Sequence, residues 1–141
     1  MSREYVPTSL RRLVFDRSNG YCEYCRSSGR FALESMELDH IIPVNKGGAT
    51  VSENLASACH GCNNYKKTRM EGIDSLSMEV AVLYHPRLML WDEHFAWSED
   101  TTLMIGLTAT GRVTIALLRL NREGVVNLRQ MLKSAGEHPP D

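Results

Sequence analysis

Four cysteines fall in two C-x-x-C pairs, Cys22/Cys25 and Cys59/Cys62, with 33 residues between the pairs. Such a knuckle turns tightly enough to present two thiolates to one ion, and two knuckles make a closed four-sulfur site of the structural zinc type. Two disulfides or a thioredoxin-like redox pair would use the same residues. Disulfides are rare in reducing compartments, and a redox motif needs no second pair. Zinc on Cys22, Cys25, Cys59 and Cys62 is therefore expected. His60, inside the second knuckle, is expected as an exposed turn residue, and Gly61 as the supplier of a positive φ.

Between the knuckles lies a second set of candidates. Asp39 and His40 close a short alternation of apolar and polar residues, Asn54 follows His40 by 14 residues, and Asn63 directly follows Cys62. Imidazole titrates near neutrality and can take a proton from water. Carboxylate and amide oxygens are hard donors suited to a divalent cation. Lys66 stands one helical turn after Asn63, and with Lys67 and Arg69 it makes a basic run that could meet phosphate or simply be a solvated helix face. Glu37 shares the Asp39 face of a strand by the two-residue period, either beside an ion or in solvent. Successive strand residues point to opposite faces, so Asp39 and His40 could serve one site only at an irregular strand end.

Short elements must position these groups. A helix is expected from Thr8 or Ser9 to Asn19-Gly20, with Leu10, Leu13 and Val14 on one face and Arg11 and Arg12 as surface charges. Residues 36–42 read as a strand ended by Pro43, 45–48 as a turn, 54–58 as a second strand and 63–70 as a helix. Beyond them, 76–84 reads as a helix stopped before Pro86. Residues 88–97 and 102–108 read as a hairpin around Ser98-Glu99-Asp100. Its Trp91, Phe95 and Trp97 share one face, as core or as a surface for stacking bases. Residues 112–120 suit a strand or a buried helix, and 125–134 an amphipathic helix with Val125, Leu128 and Leu132 on one face. Met78, Met89, Met104 and Met131 read as core filler, and 136–141 as a frayed tail.

The order Cys22-x-x-Cys25, Glu37-Leu38-Asp39-His40-Ile41-Ile42-Pro43, Gly47-Gly48, Asn54-Leu55 and Cys59-His60-Gly61-Cys62-Asn63-x-x-Lys66 resembles the HNH endonuclease family. The resemblance covers about residues 8–70. Asn63 stands where other members have His, an H-N-N variant. The resemblance implies an α+β fold built on a ββα-metal (His-Me finger) nuclease module with zinc knuckles. It implies His40 as general base, Asp39 and Asn63 as ligands of a catalytic Mg²⁺ or Mn²⁺, and Asn54 as the residue that holds the loop and orients His40. Lys66, Lys67 and Arg69 are candidate contacts to nucleic acid.

Composition bounds the rest. The chain has 141 residues, 43% of them hydrophobic and 23% charged, with a formal net charge of -1. This is an ordinary globular balance, neither disordered nor strongly basic. Residues 1–70 hold 10 Lys/Arg against 7 Asp/Glu, whereas 71–141 hold 6 against 10. No apolar run approaches the roughly 18 residues of a membrane span, and MSREYVPTSLRR lacks the apolar stretch of a secretory signal, so a cytoplasmic protein is expected. The expected organisation is a nuclease module over 1–72 and an α+β extension over 73–141 packed on it as one unit. A DNA endonuclease acting on duplex DNA is the leading function. A non-catalytic zinc-scaffolded nucleic-acid-binding module competes with it. So does a nuclease subunit active only in a larger phage-packaging or defence assembly. A homodimer is a further possible arrangement, since one active site cuts one strand.

Overall fold

The computed structural model describes residues 5–140. Helix α1 (Thr8–Arg17) opens the described chain. Val14 is fully buried, Leu13 is 48% exposed, and Leu10 is half-buried. The buried stripe thus runs through Leu10 and Val14, one turn apart, and Leu13 falls outside it. The cap is Pro7, with no side-chain bond. Arg17 ties the helix to residues 52–55, donating at 2.6 Å to the carbonyls of Ser52 and Leu55.

Strands β1 (Glu37–His40) and β2 (Leu55–Ala58) pair antiparallel, Glu37 opposite Ala58 and His40 opposite Leu55. Between them run two 3-10 turns, Val44–Lys46 and Ser52–Asn54. Helix α2 spans His60–Lys66, not 63–70. The second knuckle sets its start, because Cys59 is the N-cap and its sulfur accepts the Cys62 N–H. Lys67, at φ 55°, ends it. Gly61 lies within this helix rather than at a positive φ. Its missing side chain has another use, since a Cβ there would collide with the Arg122 guanidinium.

The second half departs further from expectation. Residues 76–84 form no helix. Instead β3 (Glu71–Ile73) and β4 (Val80–Val82) make an antiparallel hairpin. Asp74 organises its turn, accepting from the backbone N–H groups of Leu76 and Ser77 and from the Ser77 hydroxyl. Of the hairpin expected over 88–108, only β5 (Phe95–Trp97) and β6 (Met104–Gly106) are strands. The one-turn α3 (Trp91–His94) replaces the first part. Trp91 still meets Phe95 and Trp97, at centroid distances of 5.6 and 5.4 Å. The ambiguous stretch is α4 (Ala109–Leu118), and α5 (Glu123–Ser134) is the last helix. Met104 is buried, but Met78 and Met131 are 74% and 71% exposed and fill no core. The tail is anchored, since His138 is buried, stacks edge-on against Trp97 and bonds the Thr101 carbonyl.

A single buried cluster joins Cys22, Tyr24, Cys25, Ile41 and Ala56 from the first half to Leu83, Tyr84, Phe95, Met104, Val113 and Leu118 from the second. No described helix is long and apolar enough to cross a membrane.

Candidate functional site

The four cysteine sulfurs lie within 4.8 Å of one another, with Cys25 and Cys59 at 3.7 Å. Tetrahedral zinc with bonds of about 2.3 Å holds its sulfurs about 3.8 Å apart, so the cluster fits a zinc site. Each knuckle points a backbone N–H at its own first sulfur, Cys25 to Cys22 and Cys62 to Cys59, both at 3.4 Å. Burial pushes the Cys22 thiol up, while bonds from neighbouring thiols, Cys22 foremost, hold Cys59 well below the ordinary thiol range. Four thiolates packed this closely need a cation to offset their repulsion.

Sequence reasoning missed the residues surrounding this cluster. Arg122 donates to the sulfurs of Cys62 and Cys59 at 3.5 and 3.3 Å. Arg129, 2% exposed, donates to the Cys25 carbonyl at 3.1 Å. Both arginines come from the second half of the chain. Burial opposes the charge on Arg122, yet the Cys62 and Cys25 sulfurs more than compensate and raise it above the usual guanidinium value. Only Gly61, which leaves room for the guanidinium, could have hinted at this contact.

The second cluster grows from the first. Tyr24, inside the first knuckle, donates its hydroxyl to Asp39 at 2.6 Å. The second knuckle starts α2, which carries Asn63 and Lys66 one turn apart against β1. Two rungs result. Asn63 donates its amide to Glu37 at 2.8 Å, and Lys66 donates to Asp39 at 3.2 Å. Asp39 is 4% exposed and Lys66 1%. Lys66 also reaches the carbonyls of His40 and Ile41, at 3.3 and 3.0 Å. A lysine expected as a phosphate contact or as part of a solvated helix face is instead buried, because its ammonium compensates a buried carboxylate. Burial pushes the Asp39 carboxyl above its usual range, opposed by the Lys66 charge and the Tyr24 hydroxyl.

His60 pairs with Glu37 at 2.8 Å, a partner that its place in a turn did not suggest. The Glu37 hydrogen bond raises the His60 imidazole. Against some desolvation, Asn63 and His60 together hold Glu37 below its usual range.

His40 ends β1 half-buried, its Nε2 2.9 Å from the Thr50 hydroxyl. Asp39 and His40 are the last two residues of β1, and the regular pairing with β2 stops at His40. Asn54 is 7% exposed and clamps the intervening loop: its side chain accepts from Ile42 N–H at 2.8 Å and donates to the carbonyls of Ile42 and Ala49 at 3.0 and 2.9 Å. Gly48 is required here, since a Cβ would overlap the Ile42 carbonyl and crowd the Asn54 amide. Lys67 is exposed beyond the end of α2. Arg69 is not on the helix either. Its guanidinium caps helix ends, donating to the carbonyls of Tyr65, Lys66 and Leu117.

Residues 22–69 match the family described as HNH endonuclease. This segment is an HNH domain. Its β1–β2–α2 core, with the cysteine cluster beside it, is the ββα arrangement of an α+β ββα-metal module. Two relatives are similar to part of the chain. One is the type IV methyl-directed restriction enzyme EcoKMcrA of Escherichia coli (strain K12), 30% identical over 78 residues, covering 50% of this chain and 28% of the relative. The other is the CRISPR-associated endonuclease Cas9 of Corynebacterium diphtheriae, 41% identical over 51 residues, 36% of this chain and 4% of the relative. The chain thus spans only a minor part of either.

Proposed function

We propose that the protein is a metal-dependent endonuclease that hydrolyses phosphodiester bonds in DNA. The observation that carries this reading is the HNH domain over residues 22–69, with His40 accessible at the end of β1 beside a loop clamped by Asn54. That one similar protein is named a restriction enzyme and the other an endonuclease supports the same reading. His40 is the general base, taking a proton from the attacking water, with Thr50 fixing its ring. Asn54 holds the chain on which His40 sits.

Asp39 and Asn63 are the donors for a divalent ion, Mg²⁺ or Mn²⁺. Their hard oxygens fit such an ion, and the Asp39 carboxylate already accepts one cationic partner in Lys66. An ion held there would neutralise charge on the phosphate oxygens. Binding it requires Lys66 to share the carboxylate or give way. Residues 1–72 act as the nuclease module and 73–141 as an extension that braces it. Zinc on the four cysteines serves the scaffold and not the reaction.

The test is plasmid cleavage by wild type and His40→Ala, each with zinc content verified, in Mg²⁺, Mn²⁺ or EDTA. Metal-dependent cutting by wild type, reduced at least about 100-fold in the variant, is expected for loss of a general base. Wild-type rates in His40→Ala would reject the base assignment. A second reading, the non-catalytic nucleic-acid-binding module, draws on the burial of Asp39 against Lys66. It predicts DNA binding without cutting in any metal.

A further inference from the structure

The basic residues beyond α2 do not stand alone. A cleft of about 320 Å³ is lined by Asn64, Tyr65, Lys67 and Arg69 on one side and by Ala116, Leu117 and Arg119 on the other. Three of its seven lining residues are cationic and none is acidic, in a chain whose net charge is -1. Cations from both halves of the chain converge here because α2 and α4 end side by side.

The three cations have different tasks. Arg69 is committed to the carbonyls of both helix ends, which leaves their exposed negative poles covered. Lys67 and Arg119 are exposed, and each caps its helix at a positive φ, 55° and 50°. The Arg119 guanidinium lies 4.8 Å from the centre of the Tyr65 ring, an arrangement that restrains its direction. An isolated, fully desolvated phosphate is a poor occupant, since both helices offer their C-terminal ends. A polyanion that keeps its solvent and needs only exposed cations suits the cleft.

We infer that this cleft binds the phosphate backbone of a polynucleotide, through Lys67 and Arg119. The inference rests on the proposed nuclease reading and extends it, giving the C-terminal half a direct part in substrate binding. The cleft opens between α2 and α4, whereas Asn63 and Lys66 face β1, so its cations hold the strand without touching the reacting atoms.

The experiment is fluorescence anisotropy with labelled duplex and single-stranded DNA, without divalent ions, over a series of salt concentrations. Wild type, Lys67→Ala/Arg119→Ala and the single-charge control Lys133→Ala are compared at equal zinc content and Tm. The double variant is expected to bind about tenfold more weakly, with a salt slope smaller by about 2, while Lys133→Ala matches wild type. Equal affinity and slope in wild type and the double variant overturn the inference, as does absence of binding by wild type. The cleavage assay separates the two readings. Binding that weakens in the double variant, without cutting by wild type, leaves the cleft and removes the nuclease. Cutting by wild type with binding unchanged in the double variant does the reverse.

Discussion

At the residue scale, the least expected feature is the ion pair of Asp39 and Lys66. Both side chains are almost wholly buried, at 4% and 2% exposure. The desolvation cost of such a pair is offset only by full hydrogen bonding, which Tyr24 and the two carbonyls supply. Removing one partner leaves an uncompensated charge. Lys66→Met is expected to lose about 3–5 kcal/mol of stability in chemical denaturation, and Asp39→Asn added to it to recover part of that loss. A Lys66→Met protein within about 1 kcal/mol of wild type would contradict the role given to the pair.

At the element scale, the β3–β4 hairpin is fastened to α4 by Asp74. Arg112 donates to both of its oxygens, at 3.0 and 2.9 Å. With Arg112 foremost, these bonds hold the Asp74 carboxyl far below the usual carboxylate range. A depressed carboxyl adds stability that is complete above its unfolded value of about 3.9 and lost only as pH falls through the lower folded value. Asp74→Asn should therefore lower Tm by an amount that stays constant between about pH 5.5 and 8. Thermal melts at several pH values check this. A gap that widens or closes within that window would mean that another group carries the effect.

At the scale of the whole molecule, the cysteine cluster and the second half stabilise each other. Structural zinc contributes roughly 10–16 kcal/mol, as much as the entire stability of an ordinary domain. Both tryptophans, Trp91 and Trp97, lie in the second half, and Arg129 runs from the Cys25 carbonyl to the face of Trp97, 5.1 Å from its centre. Stripping zinc with a strong chelator, or Cys22→Ser, is thus expected to change tryptophan fluorescence in one transition with metal loss. Zinc release with unchanged fluorescence would show that the halves are independent. Arg122 bonds two of the sulfurs directly, and partners of this kind are worth about 10–100-fold in metal affinity. Arg122→Gln should release zinc to a chromogenic chelator at least about tenfold faster than wild type, with Arg122→Lys intermediate. Identical release rates would reduce Arg122 to a packing residue.

The cysteine spacing by itself pointed to a four-sulfur site, and the ββα module was legible through the resemblance of the motif order between the knuckles to the HNH family. Metal-ligand spacing and the Asp39-His40, Asn54 and Asn63 positions are local constraints that few other folds share. The strand pair, the helix behind it and the four-sulfur cluster were legible for that reason. The partner of each charged group was not. Lys66 reads as a solvated lysine until α2 is laid against β1, and the negative partner is 27 residues away in the chain. Arg122 and Arg129 show nothing in sequence that aims them at cysteines 60 and 104 positions distant. The stretch 76–84 carries a helical pattern that Asp74 and its distant partner Arg112 override. Spacing along the chain fixes contacts within a turn or a knuckle, whereas long-range electrostatic pairing is chosen only when packing brings the elements together.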